Sequence, residues 1–393
     1  MESLRDRGSR LRARLQDSAV NIALIGNYAP DRQESMLRYT GLLASGLSEA
    51  GHRVTVAAPR QVLNRRGRPA VGLWKWLGYV DKYCAGLADI ASATRAADVV
   101  HICDHANATY VPRTPARPYV VTCHDLLAVR GALGEDTDCP ASLTGRVLQR
   151  RILRGLGRAQ AVACVSDATL ADARRLLNGY SGRLVVAPNA LNHAYRRLPA
   201  ETVHERLRAV AALCGADGYV LHVGSNLRRK NRECALRAFA NVAPAWRGKL
   251  VFAGQPLSEE LRSLAGELDI SDRVVEVAKP DNDLLEALYN SALALVFPSR
   301  FEGFGWPIVE AQACGCPVIC SDRAPLPQVA GDAAILREAD DHAGFAAAIA
   351  RLAARPAERE ALIARGLRNA ARYGRAAMTA RFVSLYDGLR VAA

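Results

Sequence analysis

Two Rossmann-like parallel-sheet domains of the α/β class are what this sequence predicts, and three observations carry that expectation. Short β-type runs alternate with amphipathic helical patterns over nearly the whole chain, as parallel sheets with crossover helices require. The alternation breaks after Pro188 and restarts at Gly218. At 393 residues the chain exceeds what one hydrophobic core usually organises.

The first unit begins with NIALIG, a buried strand, followed by a loop and a helix carrying Met36, Tyr39, Leu43 and Leu47 on one face. Gly51 supplies a left-handed helix end before the next strand, RVTVAAP. DVVHIC, PYVVTC, AQAVACV and RLVVAP continue the strand series, and Ser166 with Asp167 predicts the cap of a helix bearing Leu170, Ala173 and Leu177. After Pro188, NALNHAYRRLPAETV carries no strand pattern and reads as a linker. GYVLHVG, KLVFAG, RVVEV, ALALVF, PVIC and AAIL then form the second strand series. The tail is helical, with Met378, Phe382 and Leu385 on one stripe. The expected organisation is a basic extension over 1–18, a first domain over 19–192, a linker over 193–216, a second domain over 217–373 and a final helix over 374–393.

No apolar run approaches the length of a membrane span, and the arginine-rich start has no apolar core of a secretory signal. The ten cysteines lack a repeated metal-type spacing. Cys314, Cys316 and Cys320 cluster but read as small buried thiols, so a cytoplasmic location is expected. The net charge of +13 speaks to partners rather than fold. Bases concentrate at Arg5 to Arg14 and again at Arg60, Arg65, Arg66 and Arg68, just ahead of Trp74, Lys75 and Trp76. Base beside aromatic suits a nucleic-acid groove or an anionic membrane surface, while a plain solvated face explains the same charges. A further basic helix is expected around Arg146, Arg150, Arg151, Arg154 and Arg158.

In open parallel sheets, ligands gather beyond the carboxyl ends of strands, so the polar residues there are the candidates. The run VFPSRFEGFGWPIVEAQACGCPVICSD places Glu302 in a loop and Glu310 one turn inside a helix of about two turns, with Pro307 at its start and Gly315 at its end. A helix N-terminus offers free N–H groups, and carboxylates accept paired hydrogen bonds from vicinal diols. In LHVGSNLRRKNRECALRAF, Gly224 permits a tight strand exit and Arg229 with Lys230 precedes a helix, a fork and a point charge suited to a diphosphate. In the first half, Asp104, His105 and Asn107 follow one strand and His124 with Asp125 follows another.

The pattern of Glu302 and Glu310 within EGFGWPIVEA, followed by GCPVICSD, resembles the signature of retaining glycosyltransferases of family 4. The resemblance runs from about Asn21 to Tyr386 and implies the GT-B fold, with the last helix returning to the first domain. It implies transfer of a hexose from a nucleoside-diphosphate sugar to a glycan or lipid-linked acceptor, with the donor phosphate helping to deprotonate the acceptor. It places Glu302 by the donor sugar and Glu310 on the ribose. Backbone groups of Phe304, Gly305 and Trp306 hold sugar hydroxyls, although members commonly have Leu where this chain has Trp306. Arg229 and Lys230 hold the diphosphate, Gly224 and Ser225 border the donor, and His124 contacts its sugar. The first loop, GNYAPDRQESM, departs from the family's glycine-rich form, so Gln33, Glu34, His105 and Asn107 stand as acceptor-side candidates.

Competing classes are weaker. An oxidoreductase lacks its Gly-x-Gly-x-x-Gly loop after either leading strand. An epimerase or phosphorylase of the same fold requires a different acid–base set or a cofactor lysine. A non-catalytic nucleotide-sugar binder fits the same motifs. Asp136 with Asp138 and Asp281 with Asp283 have the spacing of a metal pair but fall in polar loops. No metal, cofactor or nucleic acid is expected, and peripheral contact with an anionic inner membrane face is.

Overall fold

The computed structural model describes residues 19–65, 72–210, 217–242 and 246–391. The chain divides into two compact units: the first runs to Asn192 and resumes at Arg375, and the second is His193–Gly374. The expected extension over residues 1–18 lies outside the described residues, as do Arg66 and Arg68.

Unit 1 holds strands β1 (Asn21–Ile25), β2 (Arg53–Ala57), β3 (Val99–Ile102), β4 (Tyr119–Cys123), β5 (Ala161–Cys164) and β6 (Arg183–Val186). They form one parallel sheet in the order β2-β1-β3-β4-β5-β6. β3, β4 and β5 are buried along their whole length, which is why their sequences are apolar on both faces, interrupted only by His101 and Thr122, rather than alternating. Helices α1 (Glu34–Glu49), α2 (Leu73–Val80), α3 (Ala88–Ala96), α4 (Leu127–Ala132), α5 (Leu143–Leu156) and α6 (Asp167–Leu176) connect them. α1 buries Tyr39, Leu43 and Leu47, spaced four apart on one stripe, and Gly51 follows it at φ +88°. The Ser166 hydroxyl accepts from the Thr169 N–H and caps α6.

Unit 2 repeats the plan with β7 (Tyr219–Gly224), β8 (Lys249–Gly254), β9 (Val274–Ala278), β10 (Ala294–Phe297), β11 (Val318–Ser321) and β12 (Ile335–Arg337). Its parallel order is β12-β11-β10-β7-β8-β9, so β7 and β10 lie side by side at the centre. Its helices are α7 (Ala200–Leu207), α8 (Arg232–Val242), α9 (Glu259–Glu267), α10 (Asn282–Ser291), α11 (Trp306–Ala313), α12 (Leu326–Ala330), α13 (His342–Ala354) and α14 (Pro356–Ala370). The segment read as a linker is tied down where it is described. α7 packs on α10, the Arg196 N–H donates to Glu286 at 2.9 Å and the Leu198 N–H donates to Asn290 at 2.9 Å.

The last helix, α15 (Arg375–Arg390), belongs to unit 1 and packs on α1. It buries Met378, Phe382 and Leu385. A buried polar chain also pins it: Tyr386 meets His101 Nδ1 at 2.6 Å, His101 Nε2 meets Thr122 at 2.7 Å, and Thr122 meets the Tyr39 hydroxyl at 2.8 Å. Burial pushes the His101 pKa down to about 3, so the ring is neutral, one nitrogen donating and the other accepting.

Candidate functional site

In unit 2, the site begins where β7 and β8 end. A Cβ on Gly254, at φ +123°, would lie 2.4 Å from the Gly224 carbonyl oxygen, so only glycine allows the two strand ends to pass this closely. The next residues, Gly224, Ser225 and Asn226, are half-buried, and the side chain of Arg232 fixes their path. Its guanidinium donates to the Gly224 carbonyl at 2.7 Å, the Gln255 carbonyl at 2.8 Å and Asn226 Oδ1 at 2.5 Å. Burial lowers the Arg232 pKa to about 10.

Arg229 and Lys230 occupy a single 3₁₀ turn, Arg228–Lys230, closed by Asn231 at φ +54°. Asn231 holds the turn through its amide, which donates to the Pro298 carbonyl at 3.1 Å and the Ala339 carbonyl at 2.7 Å. Both cations converge on Glu302, in the loop after β10: Arg229 donates to Oε2 at 3.0 Å and Lys230 to Oε1 at 2.6 Å. The Glu302 side chain is only 8% exposed. Burial pushes its carboxyl up, but the Lys230 and Arg229 charges outweigh it and hold the group below the usual range. The Lys230 ammonium is lowered by burial despite Glu302. Arg229 also donates to the Phe301 carbonyl at 3.0 Å, which ties the turn to the loop.

That loop ends at Gly305, φ +99°, the residue before α11, with Pro307 in its first turn. Phe304 is buried edge-on against Tyr373, ring centroids 5.5 Å apart, and contacts Trp306 at 6.4 Å. Glu310 is buried on α11 and accepts from the Tyr289 hydroxyl at 2.9 Å. The Tyr289 phenol is pushed up by its own burial and by the Glu310 charge. Gly224, Ser225, Arg229, Lys230, Glu302, Phe304 and Gly305 therefore lie in or after the carboxyl ends of β7 and β10, and Trp306 and Glu310 on the helix that follows the β10 loop.

In unit 1, the carboxyl ends of β1, β3 and β4 bring a second polar cluster together. Asp104 caps the turn His105–Tyr110, accepting from the Ala106 N–H at 2.9 Å, and its other oxygen accepts from Asn27 Nδ2 at 2.6 Å. Burial pushes the Asp104 carboxyl up, yet His105, His124 and Asn27 together bring it below the usual range. His105 Nδ1 lies 3.3 Å from Asp104 Oδ1. Asn27 also donates to Gln33 and accepts from Asn107 at 3.2 Å, so it links three of the candidates. His124 Nε2 bonds the Cys103 carbonyl at 2.9 Å and the ring stands edge-on to Tyr39. That bond assigns the proton to Nε2 and leaves Nδ1 as acceptor; burial lowers the pKa, keeping the ring neutral. Glu34 is exposed at the start of α1.

Sequence reasoning missed Asn27, Arg232 and Tyr289. Asn27 was visible only as the residue after NIALIG, and Arg232 as one more base in a basic loop.

Among the described residues one group has metal-like convergence: His193, Asp283 and Glu286. A guanidinium already occupies it, since Arg206 contacts Glu286 at 2.6 Å and Asp283 at 3.3 Å. Asp281 caps α10 by accepting from the Leu284 N–H at 2.8 Å. Cys314, Cys316 and Cys320 are buried, and burial raises all three thiols, Cys316 to about 12, which makes them poor metal ligands.

Two six-stranded parallel sheets, each flanked by helices and closed by a helix returning to the first unit, define the GT-B class. Residues 36–190 match the model of the glycosyl transferase 4-like domain, and residues 204–368 match that of glycosyl transferases group 1. The chain belongs to glycosyltransferase family 4. It is 30% identical to D-inositol 3-phosphate glycosyltransferase 1 of Catenulispora acidiphila, over 70% of this chain and 68% of that protein. It is also 30% identical to O-antigen chain mannosyltransferase B of Escherichia coli, over 61% of this chain and 64% of that protein, slightly less than two thirds of its length. Sucrose-phosphate synthase of Thermosynechococcus elongatus superposes with a TM-score of 0.73 at 23% identity, covering 95% of this chain and 99% of that one. HepE of Anabaena, solved with UDP and glucose, gives 0.68 at 15% identity over 94% and 100%. At these identities the structural likeness speaks to fold alone.

Proposed function

We propose that the chain is a retaining glycosyltransferase that moves a hexose from a nucleoside-diphosphate sugar to an acceptor hydroxyl. The observation that carries this reading is the pair Arg229 and Lys230 held on the buried Glu302 at the centre of the unit 2 sheet. As the bond from the sugar C1 to the diphosphate breaks, charge builds on the leaving oxygens. A guanidinium fork and an ammonium, fixed in advance, stabilise that charge without reorganising. The acceptor oxygen bonds C1 on the face the diphosphate leaves, and its proton passes to a departing phosphate oxygen, so no protein base is required. Glu302 lies by the donor sugar, and Glu310 accepts from the ribose hydroxyls. Ser225 borders the donor, the backbone at Phe304, Gly305 and Trp306 meets sugar hydroxyls, and His124 offers Nδ1 to the sugar. Gln33, His105 and Asn107 form the acceptor side around Asn27 and Asp104. With cations in place, the reaction requires no metal.

The test is a thermal-shift screen of UDP-, GDP- and ADP-sugars, followed by NMR of the anomeric configuration in the product formed with EDTA present. One donor is expected to raise the melting temperature, and the product keeps the donor configuration. An inverted product, or activity restored only by Mg²⁺ or Mn²⁺, would overturn the corresponding part. Ligand binding with no turnover would instead make the chain a nucleotide-sugar binder.

Peripheral contact with an anionic membrane, where a lipid-linked acceptor would be met, rests on α2. Leu73, Trp76 and Val80 are exposed on one stripe, 68%, 61% and 42% respectively, beside the exposed Lys75. Among the described residues no helix is long and apolar enough to cross a membrane. Arg60 of the basic run is already paired with Asp89 and Lys82 with Asp31, so α2 contributes chiefly apolar anchorage. Co-sedimentation with phosphatidylserine vesicles is expected to fall on Trp76→Ser, and an unchanged bound fraction would remove this contact.

A further inference from the structure

A groove of about 890 Å³ runs across unit 1 between α3, the turn His105–Tyr110 and α5, separate from the strand-end cluster around Asp104. Five arginines line it: Arg95 at the end of α3, Arg113 after the turn, Arg151 and Arg154 on α5, and Arg158 just beyond it. Among the described residues no carboxylate lines it. Among the described residues none of the five makes an ion pair, whereas Arg60, Arg130, Arg175 and Arg375 elsewhere in the same unit each contact Asp or Glu. Five unpaired guanidinium groups around one concavity repel one another, and only anions drawn from outside relieve that repulsion.

The spacing gives the shape of the anion. Arg151, Arg154 and Arg158 follow one face of a helix and its end, and seven positions correspond to about 10 Å along the axis. Five guanidinium groups carry far more N–H donors than the oxygens of one phosphate can accept, whereas a chain or a cluster of phosphates matches them. Guanidinium is the side chain that binds phosphate oxygens bidentately. The wall is otherwise half-buried aromatic and aliphatic surface, including Leu148 and Tyr83. Burial pushes the Tyr83 phenol up to about 12, which leaves its hydroxyl a donor at neutral pH. The position of α5 is fixed from below: a Cβ on Gly155 would lie 2.2 Å from the Ala108 carbonyl oxygen, so α5 lies directly against the turn.

We propose that this groove binds a ligand carrying several phosphate groups, bound by the arginine row of α5 with Arg95 and Arg113 opposite. The phosphates belong either to a soluble polyphosphorylated molecule or to the headgroups of an anionic lipid. This site is independent of the transfer reaction, so its test reads binding alone.

The experiment titrates the full chain with inorganic tripolyphosphate by calorimetry, and in a second arm measures binding to phosphatidate-containing phosphatidylcholine vesicles. Three proteins are compared: wild type, the triple variant Arg151→Ala/Arg154→Ala/Arg158→Ala, and Lys230→Ala as a control for the cation pair of unit 2. The triple variant is expected to weaken one probe by about tenfold or more and to flatten its salt dependence, with Lys230→Ala leaving that binding in place. Loss of tripolyphosphate binding identifies a soluble ligand; loss confined to vesicles identifies lipid headgroups. If neither probe distinguishes the triple variant from wild type, or if Lys230→Ala alone abolishes all binding, the groove is not a phosphate site. Should the triple variant fail to fold, Arg95→Ala with Arg113→Ala, both exposed, replaces it under the same criteria.

Discussion

Glu302 carries two cations on its two oxygens, so it holds the proposed site together whatever it does toward the sugar. A buried carboxylate between Arg229 and Lys230 keeps them together against their mutual repulsion. Replacing Arg229 or Lys230 by Ala leaves that carboxylate half-satisfied, a loss of roughly 1–3 kcal/mol in stability. Turnover is expected to fall further, by on the order of 10²–10³, because in the proposed mechanism each cation acts most strongly on the charge of the leaving group. Melting curves and donor turnover measured together check this; a folded variant with wild-type turnover would place the diphosphate elsewhere. Glu310 requires a gentler substitution, because its carboxylate also receives the Tyr289 hydroxyl. Glu310→Gln keeps an acceptor for that buried phenol while removing the charge. Donor affinity should drop by about 1–3 kcal/mol in calorimetry, and an unchanged affinity removes the ribose assignment.

At the scale of elements, glycines without a neighbouring side chain set the distances that matter. Gly155→Ala forces α5 off the Ala108 carbonyl, and since the obstacle is backbone, the helix rather than a rotamer must move. A destabilisation of about 1–3 kcal/mol is expected, read as a lower urea midpoint, with Gly157→Ala, whose nearest neighbours stand at 3.7 Å, as the near-neutral control. Equal midpoints for the two variants would show that α5 is free to shift. The central strands of both sheets were legible from sequence because parallel strands buried on both faces read as largely apolar runs, broken only by single polar residues such as His101, Thr122 and His222. Glu302 and the Arg-Lys pair were legible because each follows a strand end with turn residues around it, and Glu310 because of its fixed spacing from Glu302 across a short helix start. Their partners were not. Periodicity relates a residue to neighbours two to four positions away, whereas Glu302 meets Lys230 across 72 positions and Asp104 meets Asn27 across 77. Those pairings follow from sheet order, β10 beside β7 and β3 beside β1, which no local pattern encodes. Arg232 was illegible for a related reason: its partners are mostly carbonyl oxygens, and every residue has one.

On the scale of the whole molecule, each unit contains a fully buried histidine, His101 in the first and His222 in the second, whose pKa is pushed down to about 3 by burial. In the unfolded chain these rings titrate near about 6.5. Below that pH the unfolded chain takes up protons that the folded units refuse, so the stability present above pH 6.5 is lost progressively toward pH 3. Between pH 6.5 and 5 each histidine removes up to about 2 kcal/mol. Urea midpoints should therefore fall as the pH is lowered from 7 to 5, with near-neutral behaviour above 7. A midpoint that rises on acidification over this range would contradict the burial of both rings.

The return of α15 to unit 1 has a consequence for biosynthesis. The partner that Tyr39, Thr122 and His101 await is Tyr386, and the 182 residues of unit 2 are translated before it. At roughly 5–20 residues per second, the nascent first unit stands on the ribosome for about 10–40 s with the α1 face open and a buried-type histidine chain unfinished. By the end of that interval the second unit has all its strands in one contiguous stretch, while the older unit still waits for its last helix. The order of completion is thus the reverse of the order of synthesis, and the α1 face stays open until the last helix arrives.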